Sequence, residues 1–261
     1  MRIAILADIC ANEIALDAVL ARVAELHVDT CWFIGDLFCG GPDPIAVVDQ
    51  IRALNAGEQC LLNGLDAWVL SGNMFGVSFG SRECALWSRS QLRPRIWDRV
   101  SRLRWRWLCE RAFQGRNGDC RMLAHTLVTP NLGMGDADSL AQEFALVEHG
   151  AFVGTCGHPA LYFEKSFSSN DVVEDTPVRI KGRRFLAHPG SVGRLSGRDP
   201  RACFAVYDGE NITWHRVSYD TRETARRIRL IPERWKFGWM AEALEGRAPW
   251  SARDDGQPGE P

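Results

Sequence analysis

Much is missing from this 261-residue chain, and each absence excludes something. No apolar run approaches the roughly 20 residues of a membrane-spanning helix, so no membrane span is expected. Neither sign of charge dominates: 31 Lys and Arg face 33 Asp and Glu. A net charge of -2 gives no general pull toward nucleic acid or a membrane surface. The nine cysteines are odd in number and hold no C-x-x-C pair, which argues against a disulfide framework. Cys31, Cys60, Cys156 and Cys203 lie in apolar runs, as reduced, buried thiols of a cytoplasmic protein do. The opening MRIAILADIC turns acidic too soon for a signal peptide and reads as a first strand. No internal repeat is visible.

What is present is ordinary for a soluble globular chain: 46% hydrophobic and 25% charged residues. That length and composition suffice for one large α/β domain or two small ones with a full core. Residues 2–7 form an apolar strand running into Asp8. Asn12 can cap the helix that follows, where Ile14, Leu16, Val19, Leu20 and Val23 share a face. Residues 30–34 form a second strand ending at Gly35-Asp36. Asp43 and Pro44 then suit the N-cap and first position of a helix over 45–54. A third strand over 58–62 runs into Asn63-Gly64-Leu65-Asp66. Strand, helix, strand, helix, strand with short links predicts a parallel α/β core.

The pattern then changes. Residues 81–111 hold four tryptophans and nine arginines against three acids. This reads as two amphipathic helices covering the core, with tryptophans inward and arginines in water. Nucleic acid is the competing partner for such a composition, and it is not the expected one. Residues 120–125 form another apolar strand ending at His125, and 139–149 suit a helix. Residues 151–156 form a strand leading to Gly157-His158. From 177 to 218 the chain reads as two hairpins, turning at Lys181-Gly182 and at Gly209-Glu210-Asn211. A short basic helix is expected over 221–228. Residues 231–248 form a C-terminal extension, and 249–261 are polar, rich in Pro and Gly, and expected to be disordered.

In α/β sheets ligands collect at the carboxyl ends of strands. Here those ends carry Asp8, Asp36, Asp66, His125 and His158. A single Asp can be a helix cap, and a single His a satisfied core residue. Five in succession suit a site for two cations, and such a site suits hydrolysis of a phosphate ester.

Order and spacing resemble the calcineurin-like metallophosphoesterases, in particular their small bacterial and archaeal phosphodiesterase and diadenosine tetraphosphatase branch. That family's pattern is D-x-H, G-D-x-x-x-G, G-N-H-D, a lone H, G-H-x-H and N-P-G-S-V-G. This chain has Asp8-Ile9-Cys10, Gly35-Asp36 with Gly40, Asn63-Gly64-Leu65-Asp66, His125, Gly157-His158-Pro159-Ala160 and His188-Pro189-Gly190-Ser191-Val192-Gly193. The following DPRACFAVYDG is similar to the family's closing strand. The resemblance spans residues 1–230, with 68–120 as a helical cap-like segment. It implies an α/β fold of four layers, two mixed β-sheets face to face with helices outside. It also implies a divalent metal cofactor (Mn, Fe, Zn or Mg) and a phosphorylated small molecule or nucleotide as substrate.

The departures fall on the functional positions. The resemblance implies one metal at Asp8, Cys10, Asp36 and position 160, where Ala160 offers no ligand. Cys10 replaces an imidazole and favours softer ions as a thiolate. A second metal is implied at Asp36, His125, His158 and position 64, which is glycine. Asn63 stands one place early, and a one-residue shift turns a side chain to the other face of a strand. Leu65 occupies the position of the family's proton donor and cannot do acid work. Gly190 and Ser191, with the amide of Val192, are implied phosphate contacts, and His188 stands where the family has Asn. Two functions follow. One is a metal-dependent phosphoesterase with an altered site holding one ion or none. The other is a catalytically inactive relative that binds phosphate, nucleotide, metal or a partner. Tryptophan-rich covering helices would suit a homodimer surface.

Overall fold

The side chains of the first strand, β1 (Ile3–Leu6), set the layers of the protein by alternation. Ile3 and Ile5 point to one side and Ala4 and Leu6 to the other, and all are buried. A strand covered on both faces belongs to the middle of a layered α/β structure. The computed structural model describes residues 1–54, 60–62, 64–73, 79–92, 106–107, 113–114, 120–124, 137–145, 147, 150–154, 158–164, 172–194, 199–232 and 238–246. Asn63, His125, Cys156 and the tail from 249 lie outside the described residues.

Seven described strands form the sheet containing β1. Across it run β4 (Arg106–Trp107), β3 (Cys60–Leu62), β2 (Thr30–Ile34), β1, β11 (Ala202–Tyr207), β12 (Asn211–Val217) and β9 (Val178–Arg179). The first four are parallel, and the last three add antiparallel pairings. A second sheet carries β5 (Phe113–Gln114), β6 (Cys120–Ala124), β7 (Gly150–Val153), β10 (Phe185–His188) and β8 (Ala160–Phe163) in that order. Here β6, β7 and β10 are parallel and the edge strands antiparallel. Both sheets are mixed, as expected.

The two sheets pack face to face through Ile3, Ile5, Ile34, Phe152, Phe185, Tyr207 and Trp214. Phe152 lies edge-on to Phe185 and Tyr207, with ring centroids 5.6 and 5.7 Å away. The outer face of the first sheet is covered by helices α1 (Glu13–Glu25), α2 (Pro44–Ala53), α3 (Gly64–Ser71), α4 (Phe79–Leu92), α6 (Thr221–Arg229) and α7 (Gly238–Leu244). Helix α5 (Ala137–Ala145) covers the second sheet through Leu140 and Phe144. The architecture is therefore helix, sheet, sheet, helix. No helix among the described residues is long and apolar enough to cross a membrane.

Several local expectations are met, and others are corrected. Asn12 caps α1, its Oδ1 accepting from the Ala15 amide at 3.1 Å. Asp43 precedes α2 but makes no side-chain cap bond. Its carboxylate instead meets Arg227 at 3.1 Å, and Arg227 also reaches Glu13 at 2.8 Å, so α6 is tied to α1 and α2. In the segment expected to form two covering helices, the described residues form α4 and β4, the latter extending the sheet beyond β3, while 93–105 and 108–111 lie outside the described residues. Pairing there satisfies backbone groups that β3 would leave open at an edge. Trp87 of α4 packs against the core, so this aromatic residue faces inward as expected. The turn at Lys181-Gly182 does not close a hairpin. It passes the chain from β9 in one sheet to β10 in the other. Two residues of β9 suffice to pair with the edge of β12, while β10 enters between β7 and β8.

The third strand ends where α3 begins, and that junction holds the site's loops in place. Asp66 lies in the first turn of α3 and is 0% exposed. Its Oδ1 accepts from the amides of Leu37 at 2.9 Å and Phe38 at 3.1 Å. Asp66 thus braces the loop that follows β2. Replacing Asp66 by Ala strands two buried amides and is expected to lower the unfolding free energy by about 2–4 kcal/mol. Asp66→Asn keeps an oxygen acceptor and should lose clearly less. Urea unfolding measures both, and equal losses would remove the bracing role.

Candidate functional site

The loops after β1 and β2 leave extended geometry together. Asp8, Cys10, Ala11 and Asp36 all have φ of 51°. Left-handed backbone at a residue other than glycine costs about 1–3 kcal/mol and persists only where its surroundings enforce it. The enforcement is visible. The amides of Asp8, Cys10 and Ala11 donate to the carbonyls of Gly35 at 3.2 Å, Asp36 at 2.7 Å and Leu37 at 2.9 Å. The Gly35 amide donates onward to Leu61 at the end of β3. The two loops run side by side, and Asp8 and Asp36 are buried, at 1% and 5% exposure.

A second segment crosses over these strand ends from the other sheet. After β10 the chain runs through Pro189 and Gly190, and the Val192 amide donates to Ala7 at 3.0 Å. The Gly193 amide donates to the Asp8 carbonyl at 2.9 Å, and Asn12 Nδ2 donates to the Gly193 carbonyl at 3.1 Å. Gly193 lies so close that a Cβ on it would fall 1.9 Å from the Ile9 carbonyl oxygen. Only glycine fits there. Likewise, a Cβ on Gly41 would fall 2.2 Å from the Cys10 carbonyl oxygen. Ser191 Oγ donates to the Asp8 carbonyl at 3.3 Å and accepts from the Arg194 amide at 2.9 Å. The arch thus uses the Ser191 hydroxyl and the Val192 amide to hold itself on β1. Gly190, at φ 88°, makes the bend.

Cys10 is buried among charges. Burial pushes its thiol well above the usual range, the carboxylates of Asp36 and Asp8 push it further, Arg194 opposes them, and Asp66 adds to the rise. The thiol is therefore neutral in the metal-free protein. Its neighbourhood is soft. A Cβ on Gly40 would sit 3.7 Å from Cys10 Sγ and 3.6 Å from the methyl of Met240 on α7. Cys39 hydrogen-bonds to Cys84, which together with burial raises its thiol as well. Burial raises the thiols of Cys31, Cys60 and Cys203, that of Cys31 to about 11.

The remaining sequence candidates divide. His158 is exposed in the bend before β8. Ala160 begins β8, is buried, and pairs across the ladder with His188. His188 is buried, and its carbonyl accepts from Trp214 Nε1 at 2.7 Å. It alternates with Ala187, which faces the other sheet, and so falls on the Leu186 side. Leu65 packs against the hydrophobic core on the outer side of the first sheet. Asn12 was legible only as a cap; its bond to the arch carries no sequence signal. For a divalent ion, Asp8 and Asp36 are suitable hard donors. Among the described residues, no group of three or more His, Cys, Asp or Glu is arranged to hold one. The described part of the centre thus offers two buried carboxylates and a neutral thiol, and any further ligands must come from beyond it or by rearrangement.

No family model and no curated protein matches this chain. Solved structures do. A metallophosphoesterase from Sphaerobacter thermophilus superposes with a TM-score of 0.76 at 25% identity, covering 95% of this chain and 100% of that one. A hypothetical protein from Pyrococcus horikoshii OT3 superposes at 0.67 with 17% identity, covering 92% and 98%, and shares the fold. Two mixed sheets, acids at adjacent strand ends, a Gly-Ser-Val-Gly arch over them and a metallophosphoesterase neighbour along the whole length carry one conclusion: the chain belongs to the calcineurin-like phosphoesterase superfamily.

Proposed function

We propose that the protein hydrolyses a phosphoester, a phosphodiester or nucleotide, with a divalent metal, through an altered site. The observation that carries the reading is the pair of buried carboxylates, Asp8 and Asp36, held side by side by left-handed backbone under the 190–194 arch. Two buried carboxylates on adjacent loops favour a nearby cation. Asp8, Cys10, Asp36, His125 and His158 are the proposed ligands. When held by these residues, a divalent ion would activate water and offset charge on the phosphoryl group. The chain's own part is to fix that geometry and keep it dry. Gly190 and Ser191 hold the arch above it, so their contribution to substrate is through shape. Leu65 has no proton to give, so the leaving group must be protonated by water or by another residue.

The second reading is a relative that binds phosphate, nucleotide or metal without turnover. Leu65 favours it, being packed into the core where the family resemblance implies a proton donor. Ala160, with no donor atom, points the same way. Metal content decides between them, together with hydrolysis of a generic aryl phosphodiester in manganese. The enzyme reading expects near-stoichiometric metal in protein purified without chelator, and turnover that a chelator abolishes. Asp36→Ala should remove metal and turnover together. Protein with neither metal nor turnover in any divalent ion would overturn it.

A gain-of-function series bears on the cause. Loss of a general acid alone is worth about two to four powers of ten in rate. Leu65→His, Ala160→His and Cys10→His together should therefore raise turnover at least a hundredfold, on the order of one general acid. A folded, metal-loaded triple variant with no gain would show that those three positions are not what limits the site.

A further inference from the structure

We propose that Arg227 is the positioning residue of the carboxylate centre: from helix α6 it clamps together the two loops that carry Asp8 and Asp36. The inference rests on the phosphoesterase reading above and deepens it by naming what fixes the spacing of the ligand loops. Both loops run out into helices. The first enters α1 at Glu13, and the second reaches Asp43 just ahead of α2. Arg227 Nη1 lies 2.8 Å from Glu13 Oε2 and 3.1 Å from Asp43 Oδ2. Its Nε is held at 3.1 Å by Glu223, one turn back on α6. A single guanidinium therefore joins the exits of both loops.

The grip falls at the point where the loops close on each other. The second loop bonds to Ala11 twice: the Ala11 amide donates to the Leu37 carbonyl, and the Ala11 carbonyl accepts from the Asp43 amide, both at 2.9 Å. Between those bonds Gly41 lies against the same segment, and an added Cβ would fall 2.2 and 2.7 Å from the carbonyl oxygens of Cys10 and Ala11. Asp43 thus ends the stretch over which the loops stay in register. An Asp at this position ordinarily accepts from its own helix. Asp43 makes no such bond and directs its carboxylate to Arg227. The side chains of Arg227, Glu13 and Asp43 are 30, 30 and 18% exposed, so solvent screens their pairing less than on an open surface. Without the guanidinium, the carboxylates of Glu13, Asp43 and Glu223 would face one another across three helices. Helix α6 has a second hold. The buried Thr224 hydroxyl lies 3.3 Å from Asn12 Oδ1, and Asn12 Nδ2 donates to the Gly193 carbonyl of the arch. One side of α6 thus reaches both loops and, through Asn12, the arch above them.

The test uses the full-length protein and reads the loops directly. Hydrogen exchange of the metal-free protein follows the amides of Cys10, Ala11 and Asp43, and calorimetry with manganese alone gives metal affinity. Arg227→Gln is expected to speed exchange at those amides about tenfold, the low end for one charge-assisted contact, while the amides of β11 and β12 keep their wild-type rates. It is also expected to weaken manganese about tenfold, the low end for residues that support metal ligands. That sign separates positioning from charge, because removing a guanidinium would by electrostatics alone tighten a cation. Arg227→Lys keeps the charge without the planar fork and should recover part of both losses. Arg226→Gln removes a neighbouring charge that pairs with Glu223 on the same helix, and should leave both readings unchanged. Asp43→Asn opens the clamp from its other end and should speed the same amides, which keeps the inference testable if Arg227→Gln does not fold. Exchange at the three amides no faster than in Arg226→Gln overturns the inference, and so does a rise shared equally by β11 and β12. Where the wild type binds manganese, an affinity in Arg227→Gln equal to or above the wild-type value overturns it as well. The two readings fail separately. Wild-type protein that neither binds manganese nor turns over substrate sinks the enzyme reading, and exchange alone then decides the clamp. Turnover and metal in the wild type, with loops indifferent to Arg227, sinks this inference alone.

Discussion

The backbones at Asp8 and Asp36 run side by side because the ends of β1 and β2 leave strand geometry in step. Three amides of one loop donate to three carbonyls of the next, so the turn of one backbone is copied by its neighbour. Each left-handed residue is unfavourable by about 1–3 kcal/mol, and only the mutual bonding and the packing around it keep it there. The rest of the site is built on that strip. Asp66 holds the second loop from below, and the arch from the other sheet is seated on the carbonyls of Ala7 and Asp8 from above. Loosening any one of these frees the other two.

The same arrangement joins the two sheets. Their apolar faces are held by area alone and fix no position along the strands closely. The arch does fix it, because Gly193 accepts no side chain against Ile9 and its bonds have a single register. The Cys203 amide donates to the Ser191 carbonyl, so β11, the neighbour of β1, is set by the same segment. Trp214 of β12 in turn donates to His188 where the arch begins. One short stretch therefore aligns three strands of one sheet with the end of a fourth in the other.

Much of this was legible in the residues. β1 and β2 are continuous apolar runs that stop at an acid, as parallel strands buried on both faces do, and their order follows from short links. The cap at Asn12 could be read from local rules, and the glycines of the arch from the family resemblance. Other features could not. β4 has only two residues, and what makes it a strand is an open neighbouring edge, a fact of tertiary contact. The Lys181-Gly182 turn looks like a hairpin turn because local chemistry does not say which sheet the next strand joins. Asp66 read as one more strand-end acid, yet its carboxylate is used on backbone amides. Ser191 read as a phosphate contact, yet its hydroxyl is bonded within the fold. In both cases the residue type suited two roles, and geometry alone separates them.

Cys10 lies across Gly40 from the C-terminal helix. The Cys10 thiol is small and weakly polar, and a Cβ on Gly40 would lie 3.7 Å from its sulfur and 3.6 Å from the methyl of Met240. Met240 belongs to α7, whose Ala241, Ala243 and Leu244 are buried in the same core as α1 and α2. The C-terminal helix thus reaches Gly40, next to Cys10, and Arg229 on α6 holds its end through Glu245 at 2.8 Å. A neutral thiol tolerates an apolar wall at little cost, whereas a charged or strongly hydrogen-bonding group there would lose water without a partner. The apolar cover and the cysteine thus suit each other. The carboxylates are left as the only hard donors described at that point, and the guanidinium of Arg194 as the charge that opposes them at the Cys10 thiol.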